Sequence, residues 1–273
     1  MIPAPFDYVR VKSADEALAK LAEHGDAAKL LAGGHSLLPL MKLRLATPDV
    51  LIDVGRLSEL SYVRDEGDEV AVGALTRHHD VATSPVAAAG VPVLAHVAGQ
   101  IGDPQVRHRG TIGGSLAHGD PASDLPAVVV ALGGTLVVQG PRGRREVAAT
   151  DFHRGFFEVA LAPDEMLVEV RVPRTVGPWG FHKLTKRAQD WAIVGAVAVT
   201  TADGLGVGLI NMGPVPVRAR AVEVAVAAGA SAADAAASAA EGTEPSADNN
   251  GSVAYRQHVA RVLVRRALED AGV

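Results

Sequence analysis

Residues 32–54 read AGGHSLLPLMKLRLATPDVLIDV, and a short apolar run, Lys29-Leu30-Leu31, leads into them. The run predicts a buried strand, Ala32-Gly33-Gly34-His35-Ser36 a glycine loop, Leu37 to Arg44 a helix opened by that loop, and Val50 to Val54 a second strand. Elements in this order form a small α/β unit. Upstream, Ser13-Ala14-Asp15-Glu16 is a capping box, in which the serine caps a helix and the glutamate reaches back to the cap amide. Ala17, Leu18, Leu21 and Ala22 follow at helical spacing, and Gly25 is a natural stop.

A second glycine loop lies in residues 103–127, DPQVRHRGTIGGSLAHGDPASDLPA. It is embedded in a β-rich stretch. Ser61–Arg64 and Glu69–Gly73 around Asp65-Glu66-Gly67-Asp68 predict a hairpin, as do Thr135–Gln139 and Arg145–Ala148. A helix is expected over Val91–Gln100, a second through Leu132 capped by Asp124 with Pro126, and a strand over Met166–Val172. From Val176 the character changes: strands at Phe181–Arg187, Ala196–Thr200 and Gly206–Ile210, an alanine-rich helical stretch, a polar loop over 241–252, and an amphipathic helix over Tyr255–Asp270. The fold is therefore expected to be α+β in three modules, residues 1–55, 56–175 and 176–273.

Composition narrows the chemistry. The 273 residues are 48% hydrophobic and 21% charged with a net charge of −5, a soluble globular balance that disfavours an electrostatic nucleic-acid binder. There is no transmembrane run and no secretory pattern, so a cytoplasmic protein is expected. The sequence has no cysteine, which excludes disulfides, thiolate nucleophiles, cysteine zinc sites and iron–sulfur ligation by this chain.

Each glycine loop reads in one of two ways: a tight turn, or a concave array of backbone N–H donors for a phosphate. Neither is a Walker A or a G-x-G-x-x-G motif, and no G-x-S-x-G hydrolase elbow is present. His78-His79-Asp80 lacks an i, i+4 metal partner and reads as surface or core-edge histidines; no metal site is expected. Trp191 either packs in a core or lies against a planar ring, and Lys183 and Lys186 either are solvated or reach a phosphate or ring.

The two loops, with FDYVR at 6–10, EMLVEVRVP at 165–173, KLTKRAQDWA at 183–192 and AYRQHVARVLVRRA at 254–267, resemble the FAD-binding medium-subunit family of molybdenum hydroxylases. That family includes the flavoprotein subunits of aerobic carbon monoxide dehydrogenase and xanthine dehydrogenase. The resemblance covers essentially the whole chain. It implies a two-subdomain FAD-binding domain of the PCMH type followed by a small C-terminal flavoprotein domain.

It also implies a set of cofactor contacts. Ala32, Gly33, Gly34, His35 and Ser36, flanked by Leu31 and Leu37, would wrap the FAD pyrophosphate. Thr111, Ile112, Gly113, Gly114 and Ser115 would approach from the other side, with Ser115 standing where many relatives have Asn. Asp124 would hold the sugar-alcohol portion, and Ile101, Leu167 and Trp191 would meet the ring system. Lys183, with Lys186 as the alternative, would contact the flavin. No residue of this chain is assigned as a catalytic acid or base.

The implied role is electron transfer within a molybdenum hydroxylase, with carbon monoxide dehydrogenase the expected assembly. A small subunit with two iron–sulfur clusters and a large molybdenum-cofactor subunit would complete a dimer of heterotrimers. Electrons would leave for an acceptor such as a quinone, with association at the inner membrane face compatible with that role. The rivals are a stand-alone flavin oxidoreductase of the same superfamily and a non-enzymatic nucleotide-sensing or scaffold protein.

Overall fold

The computed structural model describes residues 2–273, in three sheets and one small ribbon. The first sheet contains β1 (Asp7–Arg10), β2 (Ala28–Leu31) and β3 (Val50–Asp53), parallel and ordered β1-β3-β2. Helix α1 (Ala14–His24) connects β1 to β2, and α2 (Leu37–Lys42) lies between β2 and β3. The Ser13 hydroxyl accepts the Glu16 amide at 3.1 Å, but the Glu16 carboxylate accepts the Lys12 amide, one residue before the cap. Strand β1 carries no sequence signal because it is an edge strand, largely exposed, without an apolar face. Helix α2 stops before the expected Arg44, which takes a left-handed φ of 58°.

The second sheet follows: β4 (Val63–Asp65), β5 (Glu69–Gly73), β6 (Thr135–Gly140), β7 (Gly143–Ala148) and, after a ribbon of β8 (His153–Gly155) and β9 (Glu158–Val159), β10 (Met166–Pro173). Its antiparallel order is β4-β5-β10-β6-β7, so the apolar strand β10 sits at the centre. Seven helices belong to this part: α3 (His78–Thr83), α4 (Pro85–Gly90), α5 (Pro92–Gly99), α6 (Pro104–Arg107), α7 (Ile112–His118), α8 (Asp124–Ala131) and α9 (Ala149–Phe152). They share one core with the sheet, including Val72, Leu94, Leu116, Leu125, Phe152 and Val170. The N-terminal core of Ala17, Leu21 and Ile52 continues into Val137, Met166 and Val168 of this sheet.

The third sheet runs in chain order through β11 (Thr175–Leu184), β12 (Val194–Thr201), β13 (Gly204–Ile210) and β14 (Val217–Arg218), all antiparallel. Helices α10 (Arg220–Ala227), α11 (Ala232–Ala236) and α12 (Val253–Asp270) complete the chain, with α12 packed on β11 and β12. The same sheet also packs on α8. There Gly206 and Gly208 of β13 lie against the carbonyl oxygens of Ala131 and Ala127, where a Cβ would collide with backbone.

Two expectations change here. Strand β11 ends at Leu184, so Lys186 falls in the exposed segment beyond it. The N-cap of α8 is Ser123, and Asp124 is the first helical residue with its carboxylate turned to Lys183.

Candidate cofactor site

A cavity of about 500 Å³ opens where the three parts meet. Leu31 to Leu37 of the β2–α2 connection line it, with Ile101, Thr111, Gly113, Gly114, Ser115, Asp124, Leu167, Lys183 and Trp191. The structure thus brings together every candidate from the sequence except Ile112 and Lys186.

The first loop turns because Gly34 takes φ of 79°, a conformation glycine enters freely. Its neighbour Gly33 is required by a close approach: a Cβ there would collide with the Arg109 carbonyl oxygen. The two loops therefore touch backbone to backbone. Arg77 fixes this contact from below, donating to the carbonyls of Arg109 and Gly55. Among the described residues, no protein acceptor meets the amides of Gly33, Gly34, His35, Ser36 or Leu37. Five consecutive N–H groups are thus available to a ligand beside the cavity.

The second loop behaves differently, and the expectation of a second free donor array is overturned. Ile112 N–H donates to the Thr76 carbonyl at 3.1 Å and Gly113 N–H to that of Ala74 at 2.9 Å. Gly114 N–H donates to the Thr111 hydroxyl at 3.1 Å, and Ser115 N–H to the Thr111 carbonyl at 3.0 Å. Thr111 is the N-cap of α7, so these amides start a helix. Gly113 serves packing, since a Cβ would lie 2.5 Å from that of Ala74. Ile112 is corrected as a cofactor contact: it is fully buried in the core with Leu94, Leu116 and Leu125. As the first residue of α7, its side chain faces the core and not the cavity.

Asp124 and Lys183 form a buried ion pair at 2.7 Å, joining α8 to β11 across the site. Their side chains are 5% and 9% exposed. Among the described residues, the second carboxylate oxygen, Oδ1, meets no donor. Burial pushes the Asp124 carboxyl up, while the attraction of Lys183 opposes that shift.

The remaining wall is mainly apolar, with Leu31, Ile101, Leu161 and Leu167. Trp191 is 60% exposed at its edge, so the core-packing alternative does not hold for it.

Two further lining residues, His78 and Glu165, were not read as site residues from the sequence. His78 is 4% exposed, and among the described residues its Nδ1 meets no partner. Burial, helped by neighbouring His35 and Arg77, lowers its pKa to about 4, so it is neutral at neutral pH. The sequence reading of the pair as surface or core-edge histidines splits between them: helix α3 buries His78 and leaves His79 partly exposed. Glu165 is held by Arg145 through two hydrogen bonds of 2.8 and 2.6 Å, which lower its pKa to about 2. Among the described residues, no group of three or more histidines and carboxylates is arranged to hold a metal ion.

The family described as FAD binding domain in molybdopterin dehydrogenase matches residues 4–175, and the CO dehydrogenase flavoprotein C-terminal domain matches residues 179–271. The chain is 41% identical to the carbon monoxide dehydrogenase medium chain of Hydrogenophaga pseudoflava, over 99% of this chain and 98% of that protein. It is 37% identical to the glyceraldehyde dehydrogenase medium chain of Sulfolobus acidocaldarius, over 99% of each. Among solved structures, a carbon monoxide dehydrogenase from Hydrogenophaga pseudoflava superposes with a TM-score of 0.94 at 42% identity, covering 100% of this chain and 99% of that one.

Proposed function

Because this chain belongs to the family of FAD-binding medium subunits of molybdenum hydroxylases, we propose that its central cavity holds one FAD that relays electrons from a partner's iron–sulfur clusters. The observation that carries the site assignment is the row of five unpartnered amides, Gly33 to Leu37, in the same cavity as the orphaned Oδ1 of Asp124. Successive backbone amides form a concave site for phosphate oxygens, and a buried carboxylate oxygen without a donor suits a ligand hydroxyl. The pyrophosphate thus falls to the first loop and the sugar alcohol to Asp124, while Leu31, Ile101, Leu167 and Trp191 supply apolar surface for the ring. Thr111, Gly113, Gly114 and Ser115 shape the opposite wall.

When bound, the flavin supplies the redox chemistry of this subunit. The chain's own residues bind, orient and shield. Lys183 opposes the burial that pushes the Asp124 carboxyl up and engages one of its oxygens, leaving Oδ1 for a ligand hydroxyl. His78, neutral at working pH, adds no fixed charge to the phosphate side. Glu165 and Arg145 pin the connection that carries Leu161 and leads into Leu167. None of these groups is asked to transfer a proton.

The division into residues 1–55, 56–175 and 176–273 is part of this reading, supported by a separate sheet in each. So is the dimer of heterotrimers with a small iron–sulfur and a large molybdenum subunit, with a quinone as acceptor. The missing cysteines support a relay role, since any cluster must come from elsewhere. Carbon monoxide is the proposed substrate of the assembly, supported by the 41% identity to a carbon monoxide dehydrogenase chain.

The test is anaerobic rapid mixing. The assembled complex, with FAD released on denaturation, should show flavin bleaching by carbon monoxide, and the isolated chain should not. An isolated chain that bleaches as fast as the complex would overturn the relay reading in favour of a stand-alone flavoenzyme.

A further inference from the structure

Trp191 stands at the cavity edge, and among the described residues no hydrogen bond of its own side chain holds it there. Its position is set by the backbone that follows, which is held unusually firmly. The Asn211 side-chain amide donates to the Ala192 carbonyl at 2.7 Å and to the Ile193 carbonyl at 3.3 Å. The Arg256 guanidinium donates a second hydrogen bond to the Ile193 carbonyl. Two consecutive carbonyls directly after Trp191 therefore receive three donor contacts from two distant parts of the chain.

Both donors are themselves fixed. Asn211 follows β13 with φ of 60°, a left-handed conformation that asparagine tolerates better than most residues. Its own amide donates to the Pro121 carbonyl at 2.9 Å, three residues before Asp124. One residue thus ties the Asp124 side of the cavity to the Trp191 side. Arg256, on α12, has a side chain only 1% exposed and is anchored at its other end to Asp248 at 2.7 Å. A guanidinium is costly to bury without such partners, so its place in the core calls for a role.

We infer that Asn211 and Arg256 are positioning residues that hold Trp191 against the cavity mouth and so slow release of the bound cofactor. This rests on the FAD reading of the cavity. Neither residue lines the cavity, and neither belongs to the cofactor contacts named above. They act through the Ala192-Ile193 backbone.

Asn211→Gly is the decisive variant, because glycine accepts the left-handed backbone without strain while losing both side-chain donors. Arg256→Lys is the second, since a lysine keeps the charge but cannot reproduce the guanidinium fork. In a Trp179→Phe background Trp191 is the chain's one tryptophan, so time-resolved fluorescence anisotropy reads its local motion directly. The measurement is made on the full chain with and without FAD. FAD release is timed in parallel by dilution into an excess of an apo-flavoenzyme that takes up FAD.

The expected result for Asn211→Gly is a larger fast-decay amplitude for Trp191 and FAD release faster by about fivefold for each net hydrogen bond lost. Arg256→Lys should move both readouts in the same direction. A folded Asn211→Gly chain with unchanged Trp191 anisotropy overturns the inference, and so does greater motion with unchanged FAD release. A parent chain that never takes up FAD refutes the cofactor reading instead, and the anisotropy of the FAD-free chains still decides whether the clamp exists.

Discussion

The Asp124–Lys183 pair allows structural and cofactor roles to be separated in one mutant cycle. Replacing Asp124 by Leu leaves the Lys183 ammonium, 9% exposed, without its counter-charge in the interior. Breaking a buried pair from one side costs about 3–5 kcal/mol, whereas replacing both partners by apolar groups of similar volume is close to neutral. For a chain of this size each kcal/mol moves Tm by roughly 2–4 °C, so Asp124→Leu should lower the melting point by about 10 °C. The double variant Asp124→Leu/Lys183→Met should recover most of that loss. FAD affinity should follow another pattern, because the orphaned Oδ1 is missing from both variants. A hydrogen bond to a charged group contributes about 1.5–3 kcal/mol, so both should bind FAD roughly ten- to a hundredfold more weakly. Thermal unfolding of the FAD-free chains by circular dichroism gives the first quantity, and FAD titration of the refolded chains the second. A double variant as unstable as the single one would refute the ion-pair argument, and a double variant with parental FAD affinity would refute the acceptor role of Oδ1.

Other perturbations test the remaining walls of the site. Gly33→Ala should reduce FAD per folded chain more than Gly34→Ala: its Cβ meets the Arg109 backbone, whereas that of Gly34 meets the movable Leu38 and Leu31 side chains at 2.9 and 3.3 Å, added to a left-handed strain of about 1–2 kcal/mol. Flavin-to-protein ratios after gel filtration give the comparison, and equal ratios would contradict it. Glu165, with a folded pKa of about 2 against 4.5 unfolded, contributes stability that is present above about pH 5 and lost as pH falls toward 2. Glu165→Gln should therefore flatten the acid limb of the stability curve in that window, and an unchanged limb would show that Arg145 does not hold the carboxylate. His78, lowered from 6.5 to about 4, binds a proton more readily when unfolded, so stability falls as pH drops through that interval. His78→Gln should weaken the pH dependence between 6.5 and 4, as read by urea midpoints at each pH.

Much of the fold follows from local rules. The capping serine at Ser13, the stop at Gly25 and the turn at Asp65–Asp68 each leave a signature that acts over a few residues, and the corresponding elements form where expected. Strand β1 leaves none, because its stability comes from pairing with β3 some forty residues away, not from an apolar face of its own. The end of β11 is equally non-local. The sequence extends the strand from Phe181 to Arg187, but the Arg187–Asp190 pair and the Ile193–Leu184 backbone bond accompany a turn of the chain after Leu184. That turn leaves Lys183 facing the cavity and Lys186 in solvent.

The site shows the same limit in sharper form. Ala32-Gly33-Gly34 and Ile112-Gly113-Gly114 are nearly the same words, yet their amides have opposite fates. The second set lies over the Ala74–Thr76 backbone at the end of β5, whose carbonyls take the Ile112 and Gly113 protons, and Thr111 takes those of Gly114 and Ser115. The first set lies at the end of β2, where the Arg109 carbonyl approaches Gly33 at a place where no side chain fits but takes none of the loop's N–H groups. What a glycine loop can bind is therefore decided by the acceptors the rest of the chain brings to it, and those come from residues far off in sequence. Asp124 follows the same logic: one carboxylate oxygen is claimed by Lys183 from 59 residues away, and the other is left for the ligand. Free hydrogen-bonding capacity inside an otherwise satisfied interior is what distinguishes a binding loop from a turn.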